Sequence, residues 1–170
     1  MPHVNPLNAN EAPEKSKPLL DAIEKKFGQS LNLFSTLAHQ PDVLGGVTQL
    51  NDGVHADLPA KYRELAYYKA SQLNSCDYCS HYHRQAAENA GLTQAQLDSM
   101  NPDAADLFDD HEKAVLKYAQ QLTQEADVDD ETVAAVKAFL DDRQLVTLAA
   151  TVALANFTNR VNHGLGIELP

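Results

Sequence analysis

Apolar positions recur three and four residues apart along most of this chain, and no convincing run alternates as a strand does. Leu19, Leu20, Ile23 and Phe27 fall at helical spacing with Gly28 behind them, which predicts a helix over 17–27. The same period predicts helices over 31–39 and 41–54, the second entered through Pro41, whose fixed φ suits a first turn. Another helix starts near Asp57–Pro59 and runs to about Leu73. Asn74 or Ser75 is then placed to cap a helix that opens at Cys76 and ends at Gly91. Thr93 and Gln96 read as a capping box for a short helix. Asn101-Pro102-Asp103 is the clearest loop, and helices over about 104–124, 130–140 and 142–163 follow it. Residues 1–16, rich in Pro and Asn, read as an extended arm before a helical domain over 17–170. The predicted fold class is all-α, a single-domain helical bundle.

The last helix differs from the rest. Leu145, Val146, Leu148, Ala149, Val152, Ala153, Leu154 and Phe157 cover nearly its whole circumference, the pattern of a central core helix or of an oligomer interface. Sliding the chain against itself by 80 residues sets Arg63-Glu64-Leu65 on Arg143-Gln144-Leu145, Ala70 on Ala150 and His83 on His163. Cys76 and Cys79 then face Asn156 and Asn159, as in an internal duplication whose second copy lacks the thiols. The identities are few, and coincidence is the alternative to a duplication.

Charge narrows the function classes. Thirteen Lys and Arg stand against 24 Asp and Glu among 170 residues, a net charge of −11. Such a field repels phosphate backbones and anionic lipid, which argues against nucleic acid or a membrane surface as partner. The N-terminal stretch lacks the basic and apolar regions of a secretory signal, and the run Leu145 to Phe157 is too short and too interrupted to span a bilayer. The expected location is cytoplasmic. In that reducing compartment a CxxC pair is more often redox-active or metal-binding than a structural staple.

Both cysteines lie in one such pair, Cys76-x-x-Cys79, with His83 four residues on and Glu64 twelve residues before. On a helix Cys79 sits about 60° from Cys76, and His83 falls between them, so the three share a face. His81 and Tyr78 point roughly the opposite way. A thiolate at Cys76 is stabilised by the free N–H groups and positive dipole of the helix start, and His83 is one turn from Cys79 and able to take its proton. Glu64, on the preceding antiparallel helix, is expected to approach this face with a pKa raised by desolvation and to pass protons. The expected chemistry is attack of a thiolate on an electrophilic sulfur or oxygen, closed by a disulfide. Cys76, Cys79, His83 and Glu64 also make a ligand set for Zn²⁺, with Cys79-x-His81 as a variant, although structural zinc normally draws on two separated ligand pairs. The same residues also suit a redox-sensing helical oligomer, or an interaction module whose cysteines merely pack. His39, His55, His81, His111 and His163 have no such company and read as structural or solvent-facing.

These residues resemble the motif of the alkyl hydroperoxidase D (AhpD)-like group of the carboxymuconolactone decarboxylase superfamily. Its pattern of Glu, eleven residues, Cys-x-x-Cys, three residues and His is matched at every spacing by Glu64, Cys76, Cys79 and His83. The segments Gly28-Gln29-Ser30-Leu31-Asn32-Leu33-Phe34 and Asn159-Arg160-Val161-Asn162-His163-Gly164-Leu165-Gly166-Ile167 are similar to its peroxidase-related branch. The resemblance implies an all-helical trimer or hexamer and a thiol-dependent peroxidase that needs no metal or haem. It implies Cys79 as nucleophile, Cys76 as proton donor and resolving thiol in a redox disulfide, and Glu64 with His83 as proton relay. The implied substrate is a hydroperoxide, and the implied reductant is a dithiol, a thioredoxin-like or lipoyl protein, or a peroxiredoxin served by this chain as disulfide reductase. Where the best-studied family pattern has His between the cysteines, this chain has Tyr78. The decarboxylase branch generally lacks the CxxC, which argues against lactone decarboxylation.

Overall fold

The structure, a computed structural model, describes residues 1–104 and 106–170, and among these residues every regular element is a helix. In chain order they are α1 (Lys17–Phe27), α2 (Asn32–Leu37), α3 (Pro41–Val54), α4 (Ala60–Leu73), α5 (Asp77–Asn89), α6 (Gln94–Ser99), α7 (Asp110–Gln124), α8 (Asp130–Lys137) and α9 (Asp142–Leu165). The all-α expectation holds, and α1 and α3 begin and end where the periodicity places them. α7 is shorter than its predicted span of 104–124. Asp109 accepts the Glu112 N–H at 2.8 Å while the Glu112 carboxylate takes the Asp109 N–H at 3.0 Å, and this reciprocal cap fixes the helix start. Ala105, inside the predicted span, lies outside the described residues. The Thr93–Gln96 capping box forms as expected ahead of α6.

The chain divides into two compact units, Met1–Asp52 with Arg160–Pro170, and Gly53–Asn159. In the first, residues 1–16 run as turns tied down by hydrogen bonds. The Leu7 N–H donates to the Ser35 carbonyl at 3.0 Å, and the buried Ser16 hydroxyl donates to the Ala38 carbonyl at 2.7 Å. Leu20, Ile23, Leu33, Phe34 and Leu37 supply apolar core there. α1 ends at Gly28, which takes φ +71°, a left-handed cap that glycine adopts without a Cβ penalty.

In the second unit α4 is enclosed. Eight successive residues, Glu64 through Ser71, are buried, which is why its sequence shows almost no one-sided pattern. It packs against both α5 and α7. Lys61, which spacing would pair with Glu64, instead meets the buried Glu112 of α7. Leu65, Val115, Leu116, Leu148 and Val152 are fully buried. The apolar circumference of α9 is divided: Leu148, Val152, Leu154 and Ala155 go inward, while Val146 is 68% exposed and Phe157 40%. The 80-residue offset lays α4 and α5 on the two halves of α9, but α9 runs unbroken where the turn at 74–76 separates the other two. Among the described residues no helix is long and apolar enough to cross a membrane.

Leu116→Ala, which empties a fully buried site in α7, is expected to cost about 2–5 kcal/mol through lost transfer energy and the cavity left behind. Urea unfolding reads this as a lower midpoint; a loss under about 1 kcal/mol would mean that this part of the core collapses around the gap.

Candidate active site

The site starts from the way α4 stops. Asn74 closes the helix, and Ser75 follows with φ +53°, in the left-handed region that a residue with a Cβ enters at a cost. That reversal carries the chain into Cys76, whose N–H donates to the Ser71 carbonyl at 2.9 Å. Cys76 is extended (φ −88°, ψ 94°) and is itself the N-cap of α5, its sulfur accepting the Cys79 N–H at 3.3 Å. The expected caps, Asn74 and Ser75, do not serve, because Asn74 is occupied as the C-cap of α4 and Ser75 is left-handed. Capping preferences read from sequence do not single out Cys76, because sulfur is a weak acceptor.

Cys76 and Cys79 are joined as a disulfide, with Cα atoms 5.3 Å apart, inside the normal range for such a bridge. Both are nearly closed to solvent, at 2% and 4% exposure. One turn on, His83 leaves a quarter of its side chain exposed. Its Nδ1 lies 2.8 Å from Glu64 Oε2. An ionised carboxylate only accepts, so Nδ1 carries the proton and donates, and neutral His83 keeps its lone pair at Nε2. The four residues singled out from sequence are thus joined as two pairs, Cys76 with Cys79 and Glu64 with His83.

The charge state of Glu64 departs from expectation. Burial does push its carboxyl upward, but the hydrogen bond and charge of His83, with Arg63, outweigh it and hold the group below the usual carboxylate range. Arg63 Nε donates to Glu64 Oε1 at 3.0 Å, so each carboxylate oxygen has a partner. Glu64 is therefore a fixed anion that orients an imidazole; the raised pKa of a proton carrier is not what this environment gives it.

A further side chain is not legible in the sequence. Tyr67, one turn after Glu64 on α4, stacks on the His83 ring with centroids 3.5 Å apart and planes 14° from parallel. Its hydroxyl lies 2.5 Å from Thr158 Oγ1 on α9. The Thr158 hydroxyl is within 3.1 Å of the Leu154 carbonyl and 3.0 Å of the Ala155 carbonyl, which take its single proton, so Tyr67 is the donor. Burial pushes the Tyr67 phenol well above its ordinary value, with the Glu64 charge acting the same way, and it stays protonated. The spacing of Glu64 and Tyr67, three apart on one helix, is the only local signal for this platform.

The remaining histidines described by contacts lie elsewhere: His39 Nε2 is 3.0 Å from the Asn5 carbonyl, and His111 stacks on Phe139. His81 meets the edge of the Tyr82 ring. Tyr78, between the cysteines, is buried and packs at 5.0 Å from Tyr82. Among the described residues no three His, Cys, Asp or Glu side chains converge in a way that could hold a metal ion.

Comparison with known proteins bears on the family and the fold. Residues 41–121 match the model of the Carboxymuconolactone decarboxylase family. Over 107 residues the chain is 28% identical to the uncharacterized protein YdfG of Bacillus subtilis (strain 168), covering 61% of this chain and 73% of that one. Among solved structures, a peroxidase-related protein from Ralstonia eutropha JMP134, described as an alkylhydroperoxidase AhpD core, superposes with a TM-score of 0.83 at 20% identity, over 99% of this chain and 92% of its own. The debrominase Bmp8 superposes with a TM-score of 0.82 at 21% identity, over 98% and 91%. Identities this low establish the fold and leave the activity to the site.

A carboxyl held below its unfolded value adds stability at pH above the ordinary carboxylate range near about 4.3, and that stability is lost as pH falls through the folded value. Wild type is therefore expected to exceed Glu64→Gln in denaturant midpoint at pH 6, with the gap narrowing by pH 3. A gap that is constant or widens toward low pH would show that Glu64 is not held ionised.

Proposed function

The chain belongs to the carboxymuconolactone decarboxylase superfamily and has the fold of its AhpD-like members, and from that premise we propose that it is a thiol-dependent peroxidase working through Cys76 and Cys79. The observation that carries the reading is the disulfide sitting one helical turn from an imidazole that a buried carboxylate orients. With the pair reduced, His83 Nε2 takes the Cys79 proton, and the Cys79 thiolate attacks the terminal oxygen of a hydroperoxide. The O–O bond breaks, the alkoxide leaves with a proton as the alcohol, and Cys79 becomes a sulfenic acid. Cys76, as a thiolate at the N-cap of α5, attacks that sulfur; hydroxide leaves with a proton as water and the disulfide forms. Two electrons and two protons from a dithiol, of lipoyl or thioredoxin-like type, restore the thiols. Glu64 acts here by fixing the ring and countering the imidazolium charge, and Tyr67 by holding the ring plane.

The near-closure of both cysteines favours a small peroxide and, of the two reductant types, a slender lipoyl arm over a thioredoxin-like protein. The likeness to a debrominase makes a brominated aromatic the second electrophile class to examine. There the same two thiols would replace bromine by hydrogen, giving disulfide and hydrogen bromide.

Peroxide consumption with dithiothreitol tests the assignment. Cys79→Ser is expected to lose activity by two orders of magnitude or more, on the scale of removing an essential nucleophile, about 10²–10⁶. Cys76→Ser is expected to accumulate a sulfenic acid on Cys79 that dimedone traps. Wild-type turnover by Cys79→Ser sinks the peroxidase reading, and bromide release without peroxide turnover replaces it. For the platform, Tyr67→Leu should lower kcat on the order of tenfold with KM little changed, while Tyr67→Phe, which keeps the ring, stays within about twofold. Equal losses in both would remove the stacking role.

A further inference from the structure

Cys76 stands on a turn whose conformation is not its own choice. Ser75 is held at φ +53°, and such a residue persists only where its surroundings over-determine it. The surroundings are three amides. Asn74 Nδ2 donates one hydrogen to Asn156 Oδ1 at 3.0 Å and the other to Asn159 Oδ1 at 2.8 Å. Asn159, fully buried, donates through Nδ2 to Ser71 Oγ at 3.2 Å, and the Ser71 carbonyl in turn receives the Cys76 N–H. Asn156 is fixed by its own Nδ2, 3.1 Å from Thr123 Oγ1 on α7 and 2.9 Å from the Val152 carbonyl. Every amide is committed to one orientation, since flipping Asn74 would turn its oxygen toward two other amide oxygens. The two α9 residues in this network are the pair that the 80-residue offset sets opposite the cysteines.

We infer that Asn74, Asn156 and Asn159 form a positioning clamp that fixes the Cys76 turn and thereby sets how readily the Cys76–Cys79 disulfide forms. Disulfide formation removes conformations from the dithiol. A turn already held by side-chain hydrogen bonds has few left to lose, so the clamp favours the oxidised pair. Released, the turn lets Cys76 swing away from Cys79 in the dithiol, whereas in the disulfide the bond to Cys79 still ties Cys76 to the start of α5, so the dithiol gains more conformations. The clamp acts through the backbone between Ser71 and Cys76. It deepens the redox reading of the pair and depends on it, since a clamp on the disulfide presupposes that Cys76 and Cys79 cycle.

The test is the equilibrium of the full chain with reduced and oxidised dithiothreitol, read by counting free thiols. In that exchange two electrons and two protons pass from the dithiol reagent to the protein disulfide. Asn74→Ala is expected to shift the equilibrium about tenfold toward the protein dithiol, equivalent to ~30 mV for a two-electron couple. Asn74→Asp, which turns a carboxylate on two amide oxygens, should shift it at least as far. Should Asn74→Ala fail to fold, Asn156→Ala removes one of the two acceptors and gives a smaller shift of the same sign. Leu140→Ala, in the core just beyond α8, serves as a control for general destabilisation and is expected to leave the equilibrium within about twofold. An unchanged equilibrium in the Asn74 variants, a shift toward disulfide, or an equal shift in Leu140→Ala overturns the clamp while leaving the peroxidase reading intact. A wild-type pair that dithiothreitol and its oxidised form cannot cycle overturns both.

Discussion

The second unit is organised around a negative charge in an interior position. Glu64 is 4% exposed on a helix buried along eight residues, and an unpaired carboxylate there would cost several kcal/mol even after relaxation. Arg63 meets one oxygen and His83 the other, and their combined effect keeps the group ionised. The same requirement dictates which nitrogen of His83 bears the proton, and so which nitrogen keeps its lone pair. One hydrogen bond both pairs the buried carboxylate and orients the imidazole.

From that anion the site builds outward in two directions. On one side the imidazole is flattened against Tyr67, whose hydroxyl is anchored to Thr158 of α9. On the other, α5 begins at Cys76 in a way that aims a backbone N–H of its first turn at sulfur. A helix start favours a thiolate, and a carboxylate-bound imidazole favours taking the proton from a thiol. The residues at 156, 158 and 159 of α9 serve both sides, bracing the turn that carries the cysteine and the ring that supports the histidine. This explains why a helix of largely apolar composition buries Thr158 and Asn159 alongside its leucines and valines.

The acidity of the chain has no part in this. The charges that matter are few and paired around one buried carboxylate, while most of the other carboxylates are exposed. Composition bears on the field around the molecule and is silent on the chemistry of its interior.

The sequence by itself determined whatever depends on near neighbours. Helical periodicity located the elements, the Thr93–Gln96 box formed as spaced, and Cys79 and His83 lie one turn apart on α5, whereas Cys76 stands ahead of that helix as its extended N-cap. Even the start of α7 was written locally, in Asp109 and Glu112, although the apolar pattern pointed to an earlier residue. Tertiary structure alone decided what depends on residues far apart in the chain. The sign of the Glu64 shift turns on a histidine 19 residues away outweighing burial, and no single-residue rule predicts which effect wins. Tyr67 meets Thr158 across 91 residues, and Asn74 meets Asn159 across 85, through side chains whose types signal nothing until packing brings them together. Local spacing fixes which atoms a helix face presents; the charge state and orientation of those atoms are fixed by whatever the fold packs against that face.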